Sequence, residues 1–495
     1  MSPELNERQT PLKISRSTIP DRKTKVHPKT QKDTKINGFF KWLTASATRL
    51  ITLSFALVIL IGTGLLTLPV ASADGHSVGL VRALFTATSA TCVTGLVIGD
   101  TALTWTTFGH IVILLLIQIG GLGLITIMSF FMLAARRKMK LKTMLAMQES
   151  VGTDSFATAG GLVKRIILVT ASCELIGGLI LTWRYALLMP FGRALGTGLF
   201  QGVSAFCNAG FDLLGTFSGP YSSLVAFNSD PVVLFTTALL IIIGGLGFVV
   251  WDDIVNVFKT KRLHYHSRLV LTMTGLLLLV GTIFFALAEW NNTGDGCLGS
   301  LPVWQRPIAA FFHSVTLRTA GFNSIDQTLL THPSKIVGIF LMFTGAGPAS
   351  TGGGVKVTTM AILFATISSY FHGREGISLV HYRYNRELVR RALVITSVGM
   401  LILLTGGLLI TFFEASRLHA GDFTTLDIFY EMTSGFATVG VTSLSTPTLT
   451  VPSWLVLIAG MYLGRVGPAS FAIGVTFHQN SEKDIIYPEG KTFVG

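Results

Sequence analysis

Phe85-Thr86-Ala87-Thr88-Ser89-Ala90-Thr91-Cys92-Val93-Thr94-Gly95-Leu96 is the stretch that decides the fold, because its landmarks return three more times. The four copies align on Gly95, Gly210, Gly321 and Gly440, which lie 115, 111 and 119 residues apart. Ten residues before each glycine stands an aromatic: Phe85, Phe200, Phe311 or Tyr430. Six before it stand Ser89, Ser204, Val315 and Ser434, and directly after it Leu96, Phe211, Phe322 and Val441. Self-similarity at a fixed period marks a repeat architecture.

The apolar stretches after these segments repeat too. Ile119-Gly120-Gly121-Leu122-Gly123 is identical to Ile243-Gly244-Gly245-Leu246-Gly247, and Gly347-Pro348-Ala349-Ser350 to Gly467-Pro468-Ala469-Ser470. From segment glycine to inner glycine the distance is 25 residues in repeat one (Gly95 to Gly120) and 24 in repeats three (Gly321 to Gly345) and four (Gly440 to Gly464). It is 34 in repeat two (Gly210 to Gly244), which predicts an insertion within 212–230.

The chain around these motifs has 495 residues, half of them hydrophobic, only 13% charged, with 52 glycines and a mean hydropathy of +0.61. A soluble protein carries about 25% charged residues, so lipid is part of this chain's solvent. A helical span takes about 20 mainly apolar residues. Such stretches lie near 48–70, 108–134, 164–189, 231–258, 268–290, 335–370, 391–414 and 453–477. The basic connectors Arg136-Arg137-Lys138 with Lys140 and Lys142, Lys259-Thr260-Lys261-Arg262, and Arg383, Arg386, Arg390 and Arg391 fall on one side together with the basic N-terminal tail. That side is assigned as cytoplasmic, with both termini there. The net charge of +13 is spread over these connectors, not gathered on one face, which excludes a nucleic-acid partner. Cys92, Cys173, Cys207 and Cys297 lack the spacing of a disulfide framework or zinc site.

The expected fold is an all-α polytopic membrane protein: eight transmembrane helices as four pseudo-repeats of helix, pore loop and helix around a central pore. The expected boundaries are a disordered tail at 1–45, repeats at 46–134, 160–258, 266–371 and 390–478, and a C-terminal tail at 479–495. The tail is not a signal peptide, because its apolar segment begins too late and continues as a full span.

Each loop opens with residues suited to a short helix and reaches a glycine-centred segment: Cys92-Val93-Thr94-Gly95, Cys207-Asn208-Ala209-Gly210, Arg318-Thr319-Ala320-Gly321 and Ala437-Thr438-Val439-Gly440. Irregular backbone at membrane depth is tolerated where it lines a wet cavity or is buried in protein. A ring of such segments replaces the hydration shell of a cation such as K⁺ with backbone carbonyls. Thr438-Val439-Gly440 echoes the TVG of potassium-channel filters. In the sixth apolar stretch, the run 344–354 (Thr344-Gly345-Ala346-Gly347-Pro348-Ala349-Ser350-Thr351-Gly352-Gly353-Gly354) cannot remain helical, and Lys356 follows it. A flexible loop therefore interrupts this inner helix below the segments.

On the four glycine-centred loops, the two GGLG inner helices and the broken third inner helix, the chain resembles the membrane subunit of the Ktr/Trk/HKT superfamily of potassium transporters, over about residues 45–480. It is most similar to the bacterial Ktr type. The resemblance implies K⁺ selectivity where all four segment positions are glycine, as here, and Na⁺ conduction where the first is serine. It implies that the intramembrane loop, with Gly345, Ala346, Gly347, Gly352, Gly353, Gly354 and Lys356, is the gate, and that Arg465 contacts it. It further implies a homodimer in the bacterial cell membrane and a cytosolic ring of nucleotide-binding RCK domains. The basic tail and the connectors 134–165 and 371–391 offer docking sites for that ring, or for anionic lipid. Na⁺ as an activator stays open, as does a Na⁺-conducting or Na⁺/K⁺-cotransporting relative.

Arg318 departs from the Cys or Ala of the other repeats, and Glu431 is its expected partner behind the segments. Glu174 is the remaining charge deep in a span, with ion coupling or a structural contact as its two readings. An alternating-access carrier is disfavoured because the repeats are not inverted. A membrane enzyme is disfavoured because HExxH, GxSxG and P-loop motifs are absent, and His110, His313 and His372 are isolated. No cofactor is expected.

Overall fold

Long apolar runs become helices, and a glycine in positive φ or a dense glycine–proline run ends them. The structure, a computed structural model, describes residues 47–123, 126, 127, 129, 156–373, 377–379 and 382–467. The expectations for the tail 1–45, the connector 136–142, the lower ends of the spans at 108–134 and 453–477, Pro468-Ala469-Ser470 and the tail 479–495 lie outside these residues.

In chain order the first group is α1 (Ala47–Thr67), α2 (Leu80–Cys92) and α3 (Thr107–Leu122). The second is α4 (Phe156–Tyr185), α5 (Phe191–Phe206) and α6 (Pro231–Leu246), continued by α7 (Phe248–Thr260). The third is α8 (Tyr265–Ala288), α9 (Arg306–Thr316), α10 (His332–Phe343) and α11 (Val357–Phe371). A two-residue hairpin, Ser378–Leu379 with Tyr382–Arg383, leads to α12 (Arg386–Phe413), α13 (Thr425–Phe436) and α14 (Val451–Val466). Three described helices are long and apolar enough to cross a membrane singly: Gly161–Tyr185, Tyr265–Ala288 and Arg386–Phe413.

The first, fourth, eighth and twelfth helices each pack on the short helix that follows, α2, α5, α9 and α13. The inner helices link neighbouring groups in a cycle: α3 packs on α5, α6 on α9, α10 on α13, and α14 back on α2. The outer helices turn leucine, isoleucine and phenylalanine away from the protein, as at Leu60, Ile176, Leu279 and Phe412, which are 64%, 60%, 59% and 75% exposed. Their buried faces use smaller residues: Gly281, Gly406 and Gly407 each lie against a side chain of the short helix or inner helix beside them. This inside-out amphipathicity suits hydrocarbon, where close packing and not water exclusion holds helices together.

Two pairs of helix ends are tied alike. Glu289, after α8, accepts from the N–H and hydroxyl of Thr331 at the start of α10. Glu414, after α12, accepts from the same two groups of Thr450 and from Ser453 at the start of α14. Each carboxylate thus caps free N–H groups and sits at the positive end of an inner helix.

The expectation of unbroken spans at 108–134, 231–258 and 453–477 needs correction. α6 and α7 meet at an angle of 100°. α3, α6 and α14 all stop at a glycine in positive φ: Gly123 (+80°), Gly247 (+106°) and Gly467 (+90°). Only glycine enters that region freely, so it ends a helix abruptly.

Candidate functional site

The four glycine-centred segments meet, and they close a circuit. A Cβ placed on Gly95 would lie 2.6 Å from the carbonyl oxygen of Ala209, one on Gly210 2.9 Å from that of Ala320, and one on Gly321 2.6 Å from that of Val439. One on Gly440 would collide with the carbonyl oxygen of Thr94, returning to the first segment. Each glycine therefore faces the carbonyl just before the next repeat's glycine. All four glycines have positive φ, from +71° to +97°, so any side chain there is crowded by the neighbouring segment and strained in its backbone.

Two residues before each glycine the backbone is left-handed as well: Val93 (φ 59°), Asn208 (59°), Thr319 (67°) and Thr438 (54°). For β-branched residues this is a rare conformation that costs about 1–3 kcal/mol and persists only where the surroundings impose it. The imposing contacts are visible. The N–H groups of Thr94, Ala209 and Val439 donate to the carbonyls of Ser89, Ser204 and Ser434 at 2.7–2.8 Å. The hydroxyls of Ser89 and Ser434 accept from Gly95 N–H (3.1 Å) and Gly440 N–H (3.0 Å). This accounts for the serine six residues before the glycine in repeats one and four; the Ser204 hydroxyl of repeat two makes no such bond. Val315 cannot do so in repeat three, where Ala320 N–H donates to Thr316 instead (3.0 Å).

From below, Gly120, Gly244 and Gly464 bring the inner helices so close that a Cβ would collide with the carbonyl oxygens of Thr91, Phe206 and Phe436. These carbonyls lie four residues before Gly95, Gly210 and Gly440. The matched spacing in the sequence is thus a matched close approach. Repeat three differs: Gly345 meets Gly353 and Gly354, members of its own loop.

That loop separates α10 from α11 and lies directly under the ring. Its ends are held together, Gly345 N–H donating to Val355 (2.9 Å) and Val355 N–H to Phe343 (3.2 Å). Its middle is tethered to the break in the second inner helix: Gly347 N–H donates to Gly245 (2.9 Å), Thr351 N–H to Gly244 (3.3 Å), and Phe248 N–H to Ala349 (2.8 Å). A Cβ on Gly352 or Gly353 would collide with the hydroxyl of Thr319 or Thr438, so the loop abuts segments three and four. Ala346, Thr351, Gly352 and Gly353 are buried.

Three cations hold carbonyls around the loop. Lys356 Nζ donates to Gly352 (2.7 Å). Arg465, from α14, donates to Thr351 in the loop and to Gly120 (2.5 Å) at the end of α3. Arg318 is 6% exposed and donates to Gly345 (3.0 Å) and to Thr274 of α8 (3.3 Å). The expected Arg318–Glu431 pairing is therefore corrected. Glu431 instead accepts from Thr446 (2.6 Å): a guanidinium beside a helix break finds freed carbonyls nearer than the carboxylate of another pore helix. Glu174 meets the Cys207 thiol (3.7 Å), which also approaches Gln118 (3.8 Å). His313 is fully buried in α9, and His110 bonds the Thr101 carbonyl (2.8 Å).

Above the ring is a cavity of about 430 Å³ whose lining includes all four segment glycines and Asp100, Asp212 and Asp326. The insertion of repeat two forms part of its wall. Tyr221 N–H donates to Asp100 of repeat one (2.8 Å) and Leu224 N–H to Asn323 of repeat three (2.9 Å). Sequence reasoning missed this bridging role, and also missed Glu289 and Glu414, although the Thr-x-x-Ser shared by 331–334 and 450–453 was a usable signal. Among the described residues no group of three His, Cys, Asp or Glu is placed to hold a metal ion.

The TrkH family, described as cation transport protein, matches residues 39–484. Ktr system potassium uptake protein B of Vibrio alginolyticus is 37% identical over 450 residues, 90% of this chain and 94% of that protein. The protein of the same name from Bacillus subtilis is 34% identical over 92% of this chain and 98% of that protein. Potassium/sodium uptake protein NtpJ of Enterococcus hirae is 34% identical over 91% and 97%. The crystal structure of the potassium transporter TrkH from Vibrio parahaemolyticus matches in fold, with a TM-score of 0.60 at 19% identity over 86% of this chain and 84% of that one. The chain thus belongs to the TrkH family of cation transport proteins and is a multi-pass helical membrane protein.

Proposed function

We propose that this chain takes up K⁺ across the cell membrane through a pore formed by eight membrane spans in four pseudo-repeats, with the glycine-centred segments as a carbonyl filter. The observation that carries the reading is the closed circuit in which each glycine faces the next repeat's carbonyl. Carbonyl oxygens are hard, uncharged ligands that replace the water of a monovalent cation without trapping it. The C-terminal ends of α2, α5, α9 and α13 lie within a few residues of the segments, and helix ends of that polarity favour a cation. The acidic vestibule gathers cations above the ring.

The loop 344–354 serves as the gate. It abuts the segments from below, and it is held by hydrogen bonds from Lys356, Arg465 and Arg318 and by three backbone bonds with the α6–α7 break, a set that can be released without unfolding a helix. The names of the relatives, which speak of a Ktr system, support a partner subunit, which we place on the cytosolic side as a regulator. A homodimer and a nucleotide-binding ring are the assembly we expect. A second reading, in which Na⁺ is carried or required as well, is favoured by the likeness to a potassium/sodium uptake protein. Nothing in the site supports an enzyme, and the relatives are named as transporters.

The test is K⁺ and Na⁺ uptake in cells lacking their own K⁺ transporters. The wild type is expected to restore K⁺ uptake. Gly95→Ser, which adds a side chain against Ala209 O at φ +94°, is expected to admit Na⁺ and lose K⁺ preference. Unchanged discrimination in a variant of normal abundance would remove the filter assignment; a wild type that carries Na⁺ alone would replace the cargo.

A further inference from the structure

Repeat three alone lacks both the serine hydroxyl bond that steadies segments one and four and the inner-helix glycine contact found under segments one, two and four. It has Val315 where repeats one and four use a serine hydroxyl on the glycine N–H. Its inner helix has already ended at Phe343, so no inner glycine lies under its short helix as Gly120, Gly244 and Gly464 do under theirs. Arg318 fills that gap. Its backbone belongs to segment three, and its guanidinium donates to Gly345, the residue with which the loop begins, and to Thr274 of the outer helix α8. The side chain is buried, and among the described residues no carboxylate bonds it.

We infer that Arg318 is a positioning residue that clamps the start of the intramembrane loop to segment three, so that releasing the loop from the pore requires breaking the Arg318–Gly345 bond. This rests on reading the loop as the gate. A buried guanidinium bonded to two carbonyls is costly to leave unpaired, so the clamp favours the closed arrangement. Thr274 supplies the fixed end: α8 does not have to move when the loop does. The planar fork of arginine reaches two carbonyls on different elements at once, which the single ammonium of lysine does less well.

The experiment is a double-mutant cycle on K⁺ flux per membrane-inserted transporter. It compares wild type, Arg318→Gln, a chain in which 345–354 is replaced by a shorter linker, and the two changes combined. Shortening the loop is expected to raise flux; if it does not, the gate reading fails and the clamp with it. Given that rise, Arg318→Gln alone is expected to raise flux about tenfold, the scale of one charge-assisted hydrogen bond in the closed-to-open balance, and to add nothing in the shortened background. An Arg318→Gln variant with wild-type flux, or one whose gain persists in full after shortening, as removal of a repelling charge would, overturns the clamp while leaving the gate in place. If Arg318→Gln is not recovered from the membrane, Arg318→Lys takes its place. Its expected gain is about threefold and must likewise vanish in the shortened background; wild-type flux in Arg318→Lys then overturns the clamp.

Discussion

Glycine does two different jobs in this chain, and one substitution at each separates them. Gly464 allows α14 to touch the carbonyl of Phe436; a Cβ there has no room, and the obstacle is backbone. Gly464→Ala is expected to lower stability by about 3 kcal/mol, the upper end for overpacking, read as a clear fall in the thermal midpoint of purified protein in detergent. Gly275 lies within α8, and a Cβ on it meets nothing within 4 Å. Gly275→Ala is expected to leave the midpoint unchanged or raise it, since alanine gains about 0.5–1 kcal/mol over glycine inside a helix. Equal effects at the two sites would mean that the close approach under the ring carries no energy. The left-handed residues add a third case. Val93, Thr319 and Thr438 hold a conformation that their side chains resist, and strain of that kind is stored where function requires a fixed backbone.

Among the elements, the inner helices explain how much of the site was legible. The four segments announced themselves because glycine and an aromatic recur at fixed offsets in all four, and serine in three of them. The loop 344–354 was legible because no helix tolerates that density of glycine with proline. The stops at Gly123 and Gly247 were not, since Ile-Gly-Gly-Leu-Gly reads equally well as a close-packed membrane helix; only φ of +80° and +106° distinguishes the two. The partner of Arg318 was not legible either, because backbone carbonyls freed by a break have no signature in side-chain sequence. Arg465 is the element-scale test. It ties α14 to Thr351 in the loop and to Gly120 at the end of α3. Arg465→Gln is expected to raise K⁺ flux about tenfold, by loss of a charge-assisted bond, with the thermal midpoint nearly unchanged. A lower midpoint at constant flux would make Arg465 a brace between helices and not a gate contact.

For the molecule as a whole, the departures from fourfold symmetry fall together. Repeat three alone combines Val315, Arg318 and a helix interrupted between Phe343 and Val357, and the insertion of repeat two reaches across the outer mouth to meet it. If the loop of repeat three is the moving part, as proposed, the other three quarters must hold still: inner glycines brace all three, and serine hydroxyls brace segments one and four as well. The proposed pore has a fixed direction, with the acidic cavity outside and the loop below. The apolar outer faces require lipid, and Arg383, Arg386, Arg390 and Arg391 cluster at the end of the chain's third group and the start of its fourth, the end that the proposed orientation places in the cytoplasm. Asp74, exposed before α2, and His372, exposed after α11, then lie on opposite sides. Cys92, Cys207 and Cys297 are buried, and Cys173 is half-buried within α4, so the native thiols leave a low background for a polar reagent. In cells carrying Asp74→Cys, a membrane-impermeant maleimide is expected to label the intact cell; with His372→Cys, label is expected only after permeabilisation. Labelling of His372→Cys in intact cells would invert the assignment, placing the acidic cavity on the cytosolic side and making a cation-gathering entrance for uptake untenable.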